Sequence, residues 1–339
     1  MKKERLLILT IATLFLTNCN TVEDAISEIK SQNVSVASRL QSDTLYPTSI
    51  KQTGQTISYA LDGTEVTDGS IKDDGYYQTG DIREFIKSSD GIEDISSGLI
   101  WQASSSEKEL TLSEAKEYCE NLEINGLNSN RLPTAKELQE LVNYQKRGPS
   151  LDSEFTDIKS GVDSIGYWSS SNSKGFALWS SFNTGNDHFY TTQSNKHYVK
   201  CVDATNSKRK SANFARDNSG IVLDYNSKLS WQDNTTVDSK NWKEAIDYCE
   251  ALTLGGYNDW RLPNISELSS IIDLSSSTKL DSTFKSTLQK VYWSSTSHVA
   301  SSKISWGINF AYGTNSYHPK KEKKALRCVR GGKFIAKIR

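Results

Sequence analysis

The segment YNDWRLPNISELSSIIDL, residues 257–274, joins a Trp-Arg-Leu-Pro run to an amphipathic helical pattern. Asn264 and Glu267 have the spacing of a helix N-cap and the acid of its first turn, which predicts a capping box. Pro263 comes directly before the cap, where its fixed φ stiffens the entry without interrupting the helix. We expect Arg261 to reach backbone carbonyls or an acid at the junction with the core. The segment is therefore interpreted as part of the framework of the fold.

The same segment occurs a second time, earlier in the chain. Residues 127–144, LNSNRLPTAKELQELVNY, match it at an offset of 130, so that Arg131 corresponds to Arg261. Near the end of each copy the offset is 127, as between Cys201 and Cys328. Constant spacing through helices and small changes in loops indicate a duplicated domain.

Each copy predicts two helices followed by short strands. Thr111 with Glu114, and Asn241 with Glu244, mark the first helix of the two copies as further capping boxes. Aromatic and β-branched segments separated by Gly, Asn and Ser turns follow the second helix, a pattern typical of antiparallel strands. The sequence therefore predicts an α+β fold in which each copy packs two helices on a small antiparallel sheet.

The five cysteines divide between the N-terminus and the two copies. Cys19 stands alone, and the other four fall two per copy at equivalent positions. Of the three possible pairings, only Cys119 with Cys201 and Cys249 with Cys328 makes each copy a self-contained unit. In the chain-entropy model, each bridge stabilises the folded state by about 4–5 kcal/mol, because it restricts the unfolded chain. Free buried thiols are the alternative.

The N-terminus has the layout of an export signal. Basic residues precede an apolar run from Leu6 to Leu16, which is too short to span a bilayer comfortably. The following LTNC resembles a bacterial lipobox whose Cys19 is acylated, with Asn18 in place of the usual small residue. Asn20 after the cysteine implies sorting to the outer membrane by analogy with known lipoproteins. An ordinary secretory signal or an uncleaved anchor, and hence a periplasmic or secreted protein, are the alternatives.

Composition shifts divide the chain into six parts. The region from Tyr46 to Asp90 is loop-rich and is expected to pack on the first copy. The predicted parts are a lipoprotein signal peptide (1–18), a polar tether (19–45), the first domain with its lead-in (46–204), a linker (205–213), the second domain (214–332) and a tail (333–339).

An ordered set of motifs appears in both copies. GLIWQ and KLSWQD, RLPTAKELQEL and DWRLPNISEL, YWSSS and YWSSTS, and KCVD and RCVR follow one another in the same sequence. This set resembles domain of unknown function 1566, the Legionella collagen-like protein C-terminal domain family, over about residues 46–332. The resemblance implies two tandem C-type-lectin-like domains, a fold similar to that of formylglycine-generating enzymes. It also implies surface adhesion and recognition of sulfated polysaccharide as a trimer. The chain lacks the collagen-like Gly-x-y region, so neither property transfers directly.

Several functional classes find little support. The 40 Lys and Arg balance 41 Asp and Glu, so no overall field favours nucleic acid. The four His lie in no known catalytic or metal motif, and the close cysteine pair of formylglycine-generating enzymes is missing. We therefore expect no enzyme, no cofactor and no nucleic-acid partner. A Ca²⁺ site formed by Asn183, Asn186 and Asp187 is an alternative, although an Asn-Gly turn explains the same residues.

Candidate ligand-binding residues concentrate between the late strands of each copy. Aromatic rings beside amides suit carbohydrate stacking, but core packing is the alternative for Trp179 and Trp306. A basic run, HPKKEKKALR at 318–327, suits a sulfated glycan or an acidic head group, unless it is a solvated hairpin. The candidates are Trp179, Asn186, Asp187, His188, Tyr190, Trp306, Asn309, Tyr312, Asn315, Tyr317, His318, Lys320, Lys321, Lys323 and Lys324.

These features favour an exported envelope lipoprotein that acts as a non-catalytic recognition or adhesion module, with a glycan as its ligand. The membrane is a further expected partner, reached through the lipid on Cys19. One alternative is a structural envelope protein that binds another protein. The other is a cryptic enzyme with a fold similar to formylglycine-generating enzymes.

Overall fold

A lead-in segment, residues 50–81, precedes the two copies. It contains a short hairpin of β1 (Ser58–Tyr59) and β2 (Glu65–Val66), followed by a single helical turn, α1 (Asp74–Tyr77). The computed structural model describes residues 50–161, 165–173, 175–183, 185 and 189–332. The predictions for the signal peptide, Cys19, the tether, the tail, and for Asn186, Asp187 and His188 lie outside these residues.

The first copy contains two sheets. The first sheet consists of β3 (Phe85–Lys87), β4 (Gly91–Asp94), β5 (Ile100–Gln102), β6 (Asn130–Arg131) and β10 (Val202–Asp203). Its order is β3-β4-β5-β10-β6, so the last strand of the copy returns between two of its early strands. The second sheet is an antiparallel meander of β7 (Tyr167–Ser173), β8 (Phe176–Ser180) and β9 (Phe189–Thr191).

The second copy repeats this arrangement with longer strands. One sheet has the order β11-β12-β13-β19, from β11 (Phe214–Arg216), β12 (Ile221–Asp224), β13 (Leu229–Gln232) and β19 (Val329–Gly331). The other contains β14 (Val237–Lys240), β15 (Val291–His298), β16 (Ser301–Asn309), β17 (Thr314–Pro319) and β18 (Lys324–Leu326), in the order β14-β18-β15-β16-β17. Neighbouring strands are antiparallel except β15 and β18. The α+β fold predicted from the sequence is confirmed.

Two helices in each copy begin at the predicted capping boxes. In every case the cap side chain accepts a hydrogen bond from the backbone N–H of a Glu three residues later, and that Glu accepts one from the cap N–H. The reciprocal bonds satisfy donors that a helix start leaves open. The caps are Thr111 for α2 (Leu112–Glu120), Thr134 for α3 (Ala135–Leu141), Asn241 for α4 (Trp242–Glu250) and Asn264 for α5 (Ile265–Ser270).

The Arg of each RLP run binds the capping Glu of the helix that follows it. Arg261 makes two hydrogen bonds to Glu267, at 2.7 and 2.6 Å, and both side chains are buried. Arg131 makes the same pair with Glu137, but its side chain is 40% exposed. The expected acid is thus the one that caps the helix.

Each copy is closed by its own disulfide. Cys119 bonds to Cys201 and Cys249 bonds to Cys328, across sequence separations of 82 and 79 residues. Each bridge ties the first helix of its copy to the strand region at the end of that copy, within a cluster of buried apolar side chains. Both pairings predicted from the duplication are confirmed.

The two copies share their largest hydrophobic core. Leu138 and Tyr144 of the first copy lie in the same cluster as Leu268 and Trp306 of the second. The rings of Tyr144 and Trp306 meet edge to face at 5.3 Å. The described residues from 50 to 332 therefore form one compact unit that contains both copies.

The lead-in segment contacts the second copy in addition to the first, on which it was predicted to pack. The hydroxyl of Tyr77 donates to Glu250 at 2.7 Å, and Ser302 donates to the Gly63 carbonyl at 2.8 Å. Contacts with the first copy are also present, since Arg83, just after the segment, donates to the Gln52 carbonyl and pairs with Asp152. The segment therefore bridges the two copies.

Candidate functional site

Trp179, a predicted ligand contact of the first copy, is part of an aromatic stack. Its ring lies parallel to that of His197 at 4.6 Å, and Trp168 meets the same histidine edge-on at 4.7 Å. His197 is buried, and burial lowers its pKa to about 4, so the imidazole is neutral at ordinary pH. Trp179 itself is only partly buried, so one part of it remains accessible to a ligand.

Trp306 occupies the core of the second copy and is fully buried. Its ring contacts Tyr144 of the first copy, His298 at 4.9 Å and Tyr317 at 5.5 Å. A ligand cannot reach it in this structure, which agrees with the core alternative. The strand register explains the difference from Trp179: the residue opposite Trp293 on β16 is Gly307, whereas the residue opposite Trp168 on β8 is Trp179.

The two asparagines predicted to bind a ligand in the second copy both have structural roles. The side-chain oxygen of Asn309 accepts from the backbone N–H of Ala311 at 3.0 Å and so closes the β16–β17 hairpin. Asn315 is buried and donates to the carbonyl of Gly185, in the first copy, at 3.0 Å. Asn315 therefore holds the two copies together.

Two tyrosines of the same hairpin are exposed. Tyr312, at the turn, is 60% exposed, and Tyr317, on β17, is 44% exposed. Tyr317 packs against the ring of the buried His298 at 4.6 Å, which supports it from below. Gly313 adopts a φ of 72° in this turn, a conformation that glycine adopts without strain. We call Tyr312 and Tyr317 the aromatic hairpin.

His318 lies half-buried on β17. Its Nε2 is 3.0 Å from the hydroxyl of Ser316, and its Nδ1 is 3.7 Å from Glu322. Burial lowers its pKa, and the charge of Lys324 lowers it further. This grouping resembles a serine-histidine-acid arrangement, but the distance to Glu322 exceeds hydrogen-bond length.

Lys320 contradicts the prediction of an exposed basic cluster. It is fully buried, with its Nζ 3.6 Å from the centroid of the Trp242 ring and 3.3 Å from the carbonyls of Tyr59 and Ala60 in the lead-in segment. Burial lowers its pKa to about 7, against the opposing charge of Asp73. The cation serves the docking of the lead-in segment.

The remaining lysines of the run differ from one another. Lys321 and Lys323 are exposed, whereas Lys324 is partly buried and pairs with Glu322 at 2.8 Å. The solvated-hairpin alternative describes Lys321 and Lys323, which remain available to an anionic ligand.

The remaining candidate of the first copy, Tyr190, lies on β9, opposite Leu178 of β8.

Two buried carboxyl groups in the lead-in segment were not predicted from the sequence. Asp74 is buried and accepts hydrogen bonds from Thr53 at 2.6 Å and Thr296 at 2.7 Å. Asp73, also buried, caps α1 by accepting from the Tyr76 N–H. The signal was the dipeptide itself, because an Asp before a short helix reads as an N-cap.

No three His, Cys, Asp or Glu side chains among the described residues are grouped so as to hold a metal ion. The predicted Ca²⁺ site includes Asn186 and Asp187, which lie outside these residues. None of the described helices has the length and apolar character needed to cross a bilayer.

Comparison with known proteins identifies the repeated unit. The model of the Lcl C-terminal domain matches residues 90–203 and 220–330, one match for each copy. No curated protein matches the chain. The two matches together cover well over half of the sequence and coincide with the two disulfide-closed copies. The chain belongs to the Lcl C-terminal domain family, of which it contains two tandem copies.

Proposed function

We propose that this protein is an exported, lipid-anchored envelope protein whose two domains recognise a glycan at the cell surface without catalysing a reaction. The observation that carries the proposal is the aromatic hairpin. Tyr312 and Tyr317 project from a scaffold that is fixed by two disulfides and a shared core. Exposed aromatic rings on a rigid support are suited to stacking against the apolar faces of sugars.

The structural setting favours binding by the second copy. Tyr317 has a preformed position because His298 and Trp306 pack behind its ring. A ligand would therefore not have to immobilise this side chain, which lowers the entropic cost of association. Lys321 and Lys323, exposed after the same strand, add positive charge for a sulfated sugar.

Export and anchoring rest on other features. The two disulfides are of the kind that persists in an oxidising compartment outside the cytosol. Cys19 follows the apolar N-terminal run, and its acylation would fix the protein to the outer membrane. Mass spectrometry of the mature N-terminus tests this part: we expect a diacylated or triacylated Cys19. An unmodified N-terminus at another residue would refute the lipid anchor.

A glycan array with the compact unit from Pro47 to Arg339, with and without Ca²⁺, tests recognition. We expect binding that falls at least tenfold in Tyr312→Ala, because a stacking contact is lost. Tyr225→Ala is the matched control, since Tyr225 is 49% exposed and belongs to the turn between β12 and β13. Loss in both variants, or an empty array together with a co-purifying envelope protein, would replace this function with the structural one.

The array also distinguishes the role of charge. If the ligand is a sulfated polysaccharide, Lys321→Gln with Lys323→Gln should weaken binding, and added salt should weaken it as well. An affinity that is unchanged by both the substitutions and the added salt would show that the ligand is recognised by stacking alone.

A further inference from the structure

A crevice lies between the two copies beneath the linker. It is small and open to solvent, and it is lined by residues from both copies and the linker. Lys136 of α3 and Ser270 of α5 contribute from the two copies, Arg209 and Lys210 from the linker, and Asp224 from the end of β12. The aromatic hairpin does not contribute to its lining, so this is a second surface.

The carboxylates around the crevice are already engaged. Asp224 accepts hydrogen bonds from the backbone N–H groups of Asn213 and Asn226, both at 3.0 Å, and from the hydroxyl of Ser227 at 2.7 Å. Glu140 forms a two-bond pair with the guanidinium of Arg209. Lys136 and Lys210 both line the crevice, and neither forms an ion pair with any described residue.

Lys136 is the better-defined of the two cations. It is half-buried and donates to one acceptor among the described residues, the carbonyl of Ser270, at 3.2 Å. An ammonium group has three N–H donors, so this contact leaves two for a ligand. Burial is the main reason that the pKa of Lys136 is lowered to about 8; the charge of Arg209 acts in the same direction, and that of Asp224 opposes the shift. The charge of Lys136 is therefore only partly compensated within the protein.

The fold itself does not require a lysine at this position. Helix α5 of the second copy begins with the same capping box, and the residue that corresponds to Lys136 there is Ser266. The lysine is thus a feature of the inter-copy crevice rather than of the repeated helix start.

We propose that the crevice binds a single carboxylate group, held between Lys136 and Lys210. The local balance favours a monoanion, because three cationic side chains line the space and Glu140 and Asp224 offset two of them. A carboxylate oxygen accepts charge-assisted hydrogen bonds from an ammonium group. The carboxylate comes from an acidic sugar or from a free small acid.

Calorimetric titration of the unit from Pro47 to Arg339 at constant ionic strength tests this site, with glucuronate, acetate and neutral glucose as probes. We expect saturable binding of both acids and none of glucose. Tighter binding of glucuronate would assign the carboxylate to a sugar, and equal binding would assign it to a small acid. Affinity should fall as the pH rises above about 8, where Lys136 loses its proton.

Lys136→Met should weaken binding of the acids at least tenfold, because it retains the length of the side chain and removes the charge. Lys116→Met is the matched control, since that lysine is exposed on α2 and does not line the crevice. Undiminished binding in Lys136→Met, equal losses in both variants, or no saturable binding of either acid would overturn the proposal. Tyr312→Ala should leave acid binding unchanged, so an empty glycan array refutes the proposed function without affecting this site.

Discussion

Trp179 lies directly over Gly166, so closely that a Cβ atom on this glycine would be 2.0 Å from the Cε3 atom of the Trp179 ring. In the second copy, the glycine and the larger side chain occupy the opposite strands. There Val291 corresponds to Gly166, and Gly307 takes the strand position of Trp179. A Cβ on Gly307 would be 2.5 Å from the carbonyl oxygen of Tyr292 and 3.1 Å from the Cγ1 atom of Val291. Each copy thus has a glycine at one of the two positions and a larger side chain at the other.

This exchange predicts a strong coupling between the two positions of the first copy. Gly166→Val should cost about 1–3 kcal/mol by overpacking. Trp179→Gly should cost about 3 kcal/mol, because the stack on His197 is lost. The double variant reproduces the arrangement of the second copy. Its loss of stability should be smaller than the sum of the two single losses by at least about 1 kcal/mol. Urea denaturation of the four proteins measures this coupling, and additive losses would contradict it.

The RLP arginines provide a matched pair in two environments. Arg261→Met should destabilise the protein by about 3–5 kcal/mol, because it leaves the buried Glu267 without its cation. Arg131→Met should cost about 1–2 kcal/mol, because Arg131 is 40% exposed and water partly compensates Glu137. The same denaturation experiment compares them. Equal losses would show that exposure does not decide the strength of this contact.

The disulfides should act on one shared folding unit. Replacing Cys119 and Cys201 by Ser, or Cys249 and Cys328 by Ser, should cost about 2–5 kcal/mol in either case, since the loops are of similar length. Because the largest core includes side chains from both copies, we expect a single thermal transition in all three proteins. Calorimetry records the transition, and two separate transitions in the parent protein would argue against the shared core.

Local features of this fold were predictable from the sequence. The capping boxes depend on residues three apart, and the disulfide pairing follows from the duplication, so Thr134, Asn264 and the cysteines were assigned correctly. These predictions require only short-range spacing or comparison of the chain with itself.

Long-range packing was not predictable in the same way. Lys320 belongs to a run of basic residues that reads as solvated, and its burial depends on Trp242 and on the lead-in segment around Tyr59, which are distant in sequence. Trp306 and Trp179 both read as strand aromatics, and a difference in strand register decides which one is buried. No periodicity in the chain reports which copy the lead-in segment contacts.

The docking of the lead-in segment should depend on pH through Asp74. Burial raises the pKa of its carboxyl from 3.8 to about 7, and the charges of Asp73 and Glu267 act in the same direction, whereas hydrogen bonds from Thr53 and Thr296 oppose the shift. The folded protein therefore keeps a proton that the unfolded chain releases. The stabilisation from this proton is complete below about pH 4 and is lost as the pH rises to about 7.

Asp74→Asn isolates this contribution, because an amide keeps an oxygen acceptor and never ionises. The difference in free energy of unfolding between the variant and the parent should grow in favour of the variant between pH 4 and 7, by up to about 1.4 kcal/mol per pH unit. The comparison is needed because nearby groups titrate too. Burial raises the pKa of Asp73 to about 6, so its stabilisation also declines as the pH rises towards 6. Burial lowers the pKa of Lys320 from 10.5 to about 7, so its contribution is lost as the pH falls from 10.5 to about 7, above the range of this test. Urea denaturation at several pH values measures the difference. A constant difference across this range would show that the carboxyl of Asp74 does not retain its proton in the folded protein.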